Sequence, residues 1–212
     1  PVMKDMISPM ENTVYFLPNS DARQSQIYFY IPMGDYNREE NVRREAFNQY
    51  ISGGFSGLIM NEIREKNSMA YTAYGFASSR GLPGAQTYFS GYIGTQNDKA
   101  VDAIDLYMKL LTDMPERPGR IDNIKSYLRQ SALTDHPDSR NLSLRIAEWK
   151  RRGYTDDPAK EELPLIDSLT FPDIVDYYQK NIKGKPIIIG VLGNPKDISI
   201  DAVSYTHLTL PT

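Results

Sequence analysis

The most informative stretch of the chain is residues 53–74, with the sequence GGFSGLIMNEIREKNSMAYTAY. Gly53 and Gly54 interrupt a helical pattern, because glycine adopts backbone conformations that other residues avoid. Ser56 is placed to cap a second helix, which has an apolar stripe through Ile63. A strand pattern begins at Ala70. The stretch therefore predicts a helix, a glycine break, a second helix and a strand in immediate succession.

Further strands are predicted on both sides of this stretch. Residues 13–17 and 26–32 form two of them, and the second alternates aliphatic or phenylalanine side chains with tyrosines, as a sheet with two unlike faces requires. The strands 70–77 and 85–94 are joined by a hairpin loop, RGLPG. Residues 186–193 form an apolar strand that we expect to be buried on both faces.

Helical patterns fill the rest of the chain. They cover residues 101–111, 121–133 and 142–149, the last with Asp138 and Ser139 as candidate caps. Another is capped by Thr170 and runs to residue 182. The predicted order is β-β-α-α-β-β-α-α-α-α-β. It indicates the α+β class: a mainly antiparallel sheet with helices packed on one face.

Composition narrows the possible functions. The 212 residues suit one domain, and 40% hydrophobic with 24% charged residues is typical of a globular protein. The net charge of −3 argues against a nucleic-acid-binding surface. With no cysteine, the chain has neither disulfides nor thiolate metal ligands. The longest apolar run, residues 187–192, is too short to span a bilayer.

Both ends of the sequence indicate a piece of a longer protein. It begins at Pro1 without an initiator methionine. The last ten residues, VSYTHLTLPT, match codon by codon one frame of a common transposase sequencing adapter. We therefore expect one protein domain over residues 1–202 and an adapter artefact over residues 203–212, which leaves the native C-terminus after Ala202 open. Sequencing unamplified source DNA decides this, and finding the same codons in the genome would refute it.

The histidines argue against a catalytic metal in this chain. An inverted zinc-peptidase motif, H-x-x-E-H, places two imidazoles and a carboxylate on one helix face. The chain has two histidines, His136 and His207, and the second lies in the adapter segment. His136 precedes Pro137 at a predicted helix end, where a capping or surface role is typical. Glu161 and Glu162 are interpreted as a solvated loop pair, although a carboxylate-only site for a harder metal stays open. No metal is predicted in this chain.

Nucleophilic catalysis is also disfavoured. Residues 54–58, GFSGL, are similar to the nucleophile elbow G-x-S-x-G, but Leu58 replaces its last glycine. The elbow serine lies between a strand and a helix, whereas Ser56 follows a helix. The same glycines lack the Lys-Ser/Thr ending of a phosphate-binding loop. Ser56 is therefore interpreted as structural.

Residues 53–74 resemble the insulinase (pitrilysin) family of zinc metallopeptidases, in which a glycine-rich helix break leads to R-E-K-x-x-x-A-Y. The resemblance extends to the hairpin through Pro83, the helix start LTFPDI at 169–174 and the strand IIIGVLG at 187–193. It identifies the chain as similar to the C-terminal half, which does not bind zinc. One departure is Ser68-Met69, where the family commonly has glycine-leucine.

The resemblance implies specific site residues. Insulinase-type peptidases are clamshells of two similar halves, and the C-terminal half contributes an arginine and a tyrosine seven residues apart, which match Arg64 and Tyr71. Arg64 would hold the substrate's carbonyl groups, and Tyr71 would donate to the oxyanion. From the residues alone, Arg64 could equally be an exposed partner of Glu65, and Tyr71 an ordinary strand aromatic. Tyr74 has the wrong spacing.

We therefore expect the substrate-binding half of a zinc metalloendopeptidase that acts on peptides. Zinc would lie in a homologous partner half, in the same polypeptide or a separate subunit, and the isolated chain would be inactive. The resemblance to bacterial two-half relatives implies a cell-envelope location. Two alternatives stay open: a catalytically dead structural or assembly subunit of the family, and an independent binding domain. Phe55 and Phe89 are assigned to the core.

Overall fold

The computed structural model describes residues 6–135 and 137–198, without the side chain of Phe55. His136 and the segment 203–212 lie outside the described residues, as does the core assignment of Phe55. The strands are β1 (Thr13–Pro18), β2 (Ser25–Asp35), β3 (Thr72–Ser78), β4 (Gln86–Thr95) and β5 (Ile188–Gly193). The α-helices are α1 (Asn41–Ser52), α2 (Ala100–Thr112), α3 (Ile121–Thr134), α4 (Leu142–Arg151), α5 (Pro158–Ser168) and α6 (Phe171–Asn181). A π-helix covers Met60–Lys66.

The strands form one five-stranded sheet in the order β1-β5-β2-β4-β3. β1 and β5 are parallel, and the other neighbours are antiparallel. The inward side chains of β2, among them Ile27 and Phe29, are buried in a core shared with α1, α2 and α6. The α+β prediction is therefore confirmed, with a mainly antiparallel sheet and helices packed on one face.

The opposite face of the sheet carries aromatic side chains. Tyr28 and Tyr92 have ring centres 5.1 Å apart, and Tyr74 and Tyr92 are 5.3 Å apart. Tyr28 is 51% exposed and Phe76 is 41% exposed. An apolar surface of this kind on a protein commonly marks an interaction site. We call it the aromatic face: Tyr15, Tyr28, Tyr30, Tyr74, Phe76, Tyr88 and Tyr92.

Two glycines fix the packing of α2 against the sheet. Gly75 and Gly91 are direct cross-strand partners in β3 and β4. The buried Tyr107 of α2 places its hydroxyl beneath them, donates to the carbonyl of Tyr74 at 2.9 Å, and stacks on Phe29 at 4.1 Å. A Cβ at Gly91 would lie 2.1 Å from the Tyr107 oxygen, and one at Gly75 would lie 2.4 Å from it. Any side chain at either position would displace Tyr107.

One helix was missed, and one interpretation was wrong. Helix α5 is not among the predicted helices, and Pro164 interrupts its helical pattern. Pro158 occupies the first helical turn, where proline is favoured, and the Asp157 carboxylate accepts from the Ala159 amide at 2.9 Å. Glu161 and Glu162 are therefore helical and not a solvated loop pair. The Glu162 carboxylate accepts hydrogen bonds from the Asn41 side-chain amide at 2.7 Å and the Tyr154 hydroxyl at 2.6 Å.

Two further expectations were wrong in detail. β5 is fully buried on one face only, through Ile189 and Val191, because the helices leave its other face to the aromatic side of the sheet. Ser56 is not a helix cap, since residues 54–56 form a 3₁₀ turn and its hydroxyl donates to the Gly53 carbonyl at 3.2 Å. Thr170 occupies the N-cap position of α6, as predicted, and the Asp173 carboxylate accepts from the Thr170 backbone amide at 2.9 Å, as in a capping box.

Candidate functional site

A cleft of about 390 Å³ opens where the π-helix ends and β3 begins. Its walls come from the end of the π-helix, the turn into β3, and the residues flanking β2 and β4. Arg64 and Tyr71 both line it. The other lining residues are Gln24, Glu65, Ser68, Met69, Ala70, Thr95, Gln96 and Lys99.

Arg64 and Tyr71 lie side by side in this cleft. The Arg64 guanidinium carbon is 5.9 Å from the centre of the Tyr71 ring, within the range of a cation–π contact. Tyr71 is 79% exposed, and its backbone amide is fixed by a 3.0 Å hydrogen bond to the Gly94 carbonyl. Arg64 also approaches Glu65, Nε to Oε1, at 3.7 Å. This exposed ion pair is weak, and it leaves most of the guanidinium's donors available to a ligand.

The π-helix that carries Arg64 is held on both sides of that residue. Ile63 is fully buried in the core. The Glu62 carboxylate accepts from Lys66 at 2.9 Å and also from Arg117, while the Asn67 side chain donates to the Glu62 carbonyl at 2.6 Å. A π-helix is rare, and such segments frequently occur at functional sites. These contacts fix the direction in which Arg64 leaves the helix.

The contribution of the Glu62 carboxylate to the stability of the folded state depends on pH. Partial burial alone would raise its pKa, but hydrogen bonds from Lys66 and Arg117 hold the pKa below its ordinary value of 4.5. A carboxyl group whose folded pKa is lowered stabilises the folded state above its unfolded pKa. That contribution is fully present above about pH 4.5 and is lost as the pH falls through the lower folded value.

The structure separates the other aromatic candidates from the cleft. Tyr74, which has the wrong spacing from Arg64, lies on the aromatic face and stacks on Tyr92. Phe89 is fully buried, as predicted for a core residue. Neither side chain lines the cleft.

The cleft residues that were not predicted include Gln24, Gln96 and Lys99. Gln24 precedes β2 and Gln96 follows β4, and the antiparallel register pairs Ser25 with Thr95, which brings these two ends together. The Lys99 ammonium donates to the Ser68 carbonyl at 3.4 Å. A sequence pattern gives strands but not their partners, so this wall of the cleft had no signal in the sequence.

The sequence departs from the family pattern at a turn that ends the π-helix, where Ser68 stands in place of glycine. Ser68 has φ = 50°, and it is the one non-glycine residue with positive φ in the described part of the chain. Its amide donates to the Arg64 carbonyl at 2.9 Å, and the Met69 amide donates to the Ile63 carbonyl at 2.9 Å. This left-handed residue ends the π-helix, at a position where glycine is normally favoured.

Replacing Ser68 by glycine is expected to raise the free energy of unfolding by about 1 kcal/mol, because glycine takes this conformation without steric cost. Urea denaturation followed by circular dichroism measures the change. The matched control is Ser139→Gly, since Ser139 is an exposed turn residue whose φ is not positive and which gains nothing from glycine. Equal or lower stability of the Ser68→Gly protein would show that the turn is not strained.

The described residues offer little to a metal ion. Over 6–135 and 137–198, no group of three or more histidine, cysteine or acidic side chains is placed to hold one. Within the same ranges, no helix is long and apolar enough to cross a membrane.

Comparison with known families identifies the class to which this fold and cleft belong. Residues 7–119 match the family model described as the peptidase M16 inactive domain. The chain therefore belongs to this family, the non-catalytic, C-terminal type of domain in insulinase-type peptidases. A comparison with curated proteins finds no significant match.

Solved structures share the fold at low sequence identity. A peptidase M16 inactive domain from Pseudomonas fluorescens matches with a TM-score of 0.74 and 15% identity, over 94% of this chain and 48% of that one. The periplasmic protease PqqL from Escherichia coli matches with a TM-score of 0.67 and 15% identity, over 88% and 21%. A chain of complex III2 from Candida albicans matches with a TM-score of 0.65 and 12% identity, over 92% and 50%. The chain thus spans half or less of each of these relatives.

Proposed function

We propose that this chain is the substrate-binding half of a zinc metalloendopeptidase and completes the active site of a homologous, zinc-bearing half. The observation that carries the proposal is the pairing of Arg64 with Tyr71 in an open cleft. Both side chains are exposed, and the contacts of Glu62 and Ile63 hold the π-helix that carries Arg64. The substrate class is an extended peptide.

Arg64 has the chemistry needed to hold a peptide backbone. Its guanidinium is a planar, permanently charged group with five N–H donors. Peptide carbonyl oxygens are acceptors, and an extended chain presents them at regular intervals. The contact with the Tyr71 ring limits the conformations of the guanidinium, which reduces the entropy lost when a peptide binds.

Tyr71 has the chemistry needed to assist the reaction. Its phenol is a hydrogen-bond donor and lies at the open side of the cleft. When a peptide bond is hydrolysed, negative charge develops on the carbonyl oxygen, and a fixed donor at that oxygen stabilises the transition state. In this proposal Tyr71 reaches the scissile carbonyl from the opposite side of a substrate enclosed between two halves.

The metal belongs to the partner in this account. The described residues of this chain do not fit a zinc site, so zinc and the water it activates would come from the other half. Two observations support a protein partner. The chain covers 48% of the Pseudomonas relative, which leaves room for a second half of similar size, and the aromatic face exposes aromatic side chains of the kind that protein contacts cover.

A catalytically dead assembly subunit is the second candidate. The same fold occurs in a chain of complex III2 from Candida albicans, which favours this alternative at the level of fold alone. It requires no peptide in the cleft. The two candidates therefore differ in whether Arg64 and Tyr71 contact a substrate.

Photo-crosslinking tests the proposal directly. A peptide with a central benzoylphenylalanine would be incubated with the complete two-half protein after chelation of its zinc, so that binding occurs without cleavage. We expect crosslinks on Met69, Ala70 or Tyr71, mapped by mass spectrometry, and a loss of these crosslinks in Arg64→Ala. Crosslinks confined to the zinc-bearing half would refute peptide holding by this chain and favour the assembly subunit.

A further inference from the structure

The free edge of the sheet at β3 is capped by side chains. Among the strands of the described residues, β3 is an outer strand and pairs only with β4. In an antiparallel edge strand, alternate residues point their N–H and C=O groups away from the neighbour. On β3 these outward residues include Gly75 and Ala77. Such groups normally offer a template for an incoming strand, from a peptide or from another protein molecule.

Helix α1 occupies those groups. The Gly75 amide donates to the Ser52 hydroxyl oxygen at 2.8 Å. The Ala77 amide donates to the Asn48 side-chain oxygen at 2.7 Å, and the Asn48 side-chain nitrogen donates to the Ala77 carbonyl at 3.1 Å. Asn48 thus reproduces both bonds that a partner strand would make to Ala77.

The spacing of the two elements makes this match possible. Asn48 and Ser52 lie four residues apart on one face of α1, which is about 6 Å along a helix. Gly75 and Ala77 lie two residues apart, which is about 6.6 Å along a strand. Because the order is reversed, with Asn48 at Ala77 and Ser52 at Gly75, α1 runs antiparallel to β3 along its edge.

The capping ends at a defined point. Ala73 is the next residue of β3 that points toward this edge, and one further helical turn of α1 would be needed to reach it. α1 ends at Ser52 instead. The turn that follows leaves no room for a side chain at two of its positions: a Cβ at Gly53 would lie 2.2 Å from the Gln49 carbonyl oxygen, and one at Gly57 would lie 2.7 Å from the Ser52 carbonyl carbon.

We propose that Asn48 and Ser52 close the edge of β3 to strand addition, so that an extended peptide can lie only at the Tyr71 end of the strand. The glycine break after Ser52 ends the part of the edge that α1 closes. Closure of the edge stands without the proposed function, whereas the placement of the peptide rests on it. Asn48 and Ser52 are thus specificity-determining residues that contact the scaffold rather than the substrate.

Removal of the two caps tests this inference. The edge variant is Asn48→Leu with Ser52→Ala, and the control is Asn123→Leu with Ser126→Ala on the exposed side of α3. Sedimentation velocity over a range of concentrations should show stronger self-association of the edge variant than of the wild-type protein and the control, because the backbone groups of Gly75 and Ala77 lose their partners on α1. Self-association of the edge variant no stronger than that of the wild-type protein, with native circular dichroism, would overturn the proposal.

Hydrogen exchange of the wild-type protein tests closure of the β3 edge independently, and it applies even if the edge variant does not fold. The Gly75 and Ala77 amides should exchange at least about 10-fold more slowly than exposed loop amides, because each is hydrogen-bonded to α1. Exchange at the rate of loop amides would overturn closure. If the Gly75 and Ala77 amides exchange at the rate of loop amides while the crosslinks near Tyr71 persist, this inference is rejected and the proposed function stands.

Discussion

Replacing Tyr71 by phenylalanine in the complete two-half protein is expected to lower kcat about 100-fold. The phenol is proposed to donate to the developing oxyanion, and loss of one such donor typically costs about 3 kcal/mol of transition-state stabilisation. Because the ring and its contact with Arg64 are retained, KM should change little. Steady-state hydrolysis of a quenched fluorescent peptide measures both constants.

Arg64→Ala is expected to change mainly KM, whereas Tyr71→Phe is expected to change mainly kcat. Arg64 is proposed to hold carbonyl groups in both the bound substrate and the transition state, so its loss should raise KM more than it lowers kcat.

The control for Tyr71→Phe is Tyr74→Phe, since Tyr74 lies three residues further along the chain but on the aromatic face. If Tyr74→Phe reduces kcat as much as Tyr71→Phe, the assignment of the catalytic tyrosine is wrong.

Gly91→Ala is expected to lower the free energy of unfolding by about 1–3 kcal/mol, because overpacking forces neighbouring groups out of position. The new Cβ would lie 2.1 Å from the Tyr107 hydroxyl oxygen and 2.8 Å from the ring carbon that bears it. Urea denaturation of the isolated chain measures the loss. Adding Tyr107→Phe should recover part of it, because the closest clashing atom is removed.

Gly190→Ala is the matched control, since Gly190 is also a strand glycine of the same sheet. Its added Cβ would meet only the Tyr28 Cβ at 4.0 Å, which is an ordinary contact. This change is expected to leave stability nearly unaltered. Equal losses for Gly91→Ala and Gly190→Ala would mean that the packing of Tyr107 is not what selects glycine in β4.

Most of the fold could be predicted from periodicity. The alternation in β2 gave a sheet with one buried face, and the apolar stripes gave the helices that cover it. Helix α5 was missed because Pro164 interrupts its pattern, whereas its tertiary contacts, such as those of Glu162, stabilise it in the folded chain. The one-sided burial of β5 was missed because its residues are apolar on both faces.

The site could be predicted only in part. Arg64 and Tyr71 were found from their spacing in a family pattern, and the structure places them in contact. Lys99 and Gln24 reach the same cleft through strand pairing, which no local pattern encodes. The left-handed Ser68 was visible only as a departure from glycine, and its meaning depends on the backbone angle.

The most direct test of the central claim is the rate of peptide hydrolysis by the zinc-bearing half alone, with the wild-type chain, and with the chain carrying Arg64→Ala and Tyr71→Phe together. If Arg64 and Tyr71 complete the active site, the wild-type chain raises kcat/KM strongly, and the double variant, although it still associates with the zinc-bearing half, does not. Equal stimulation by the wild-type and doubly substituted chains would contradict the central claim.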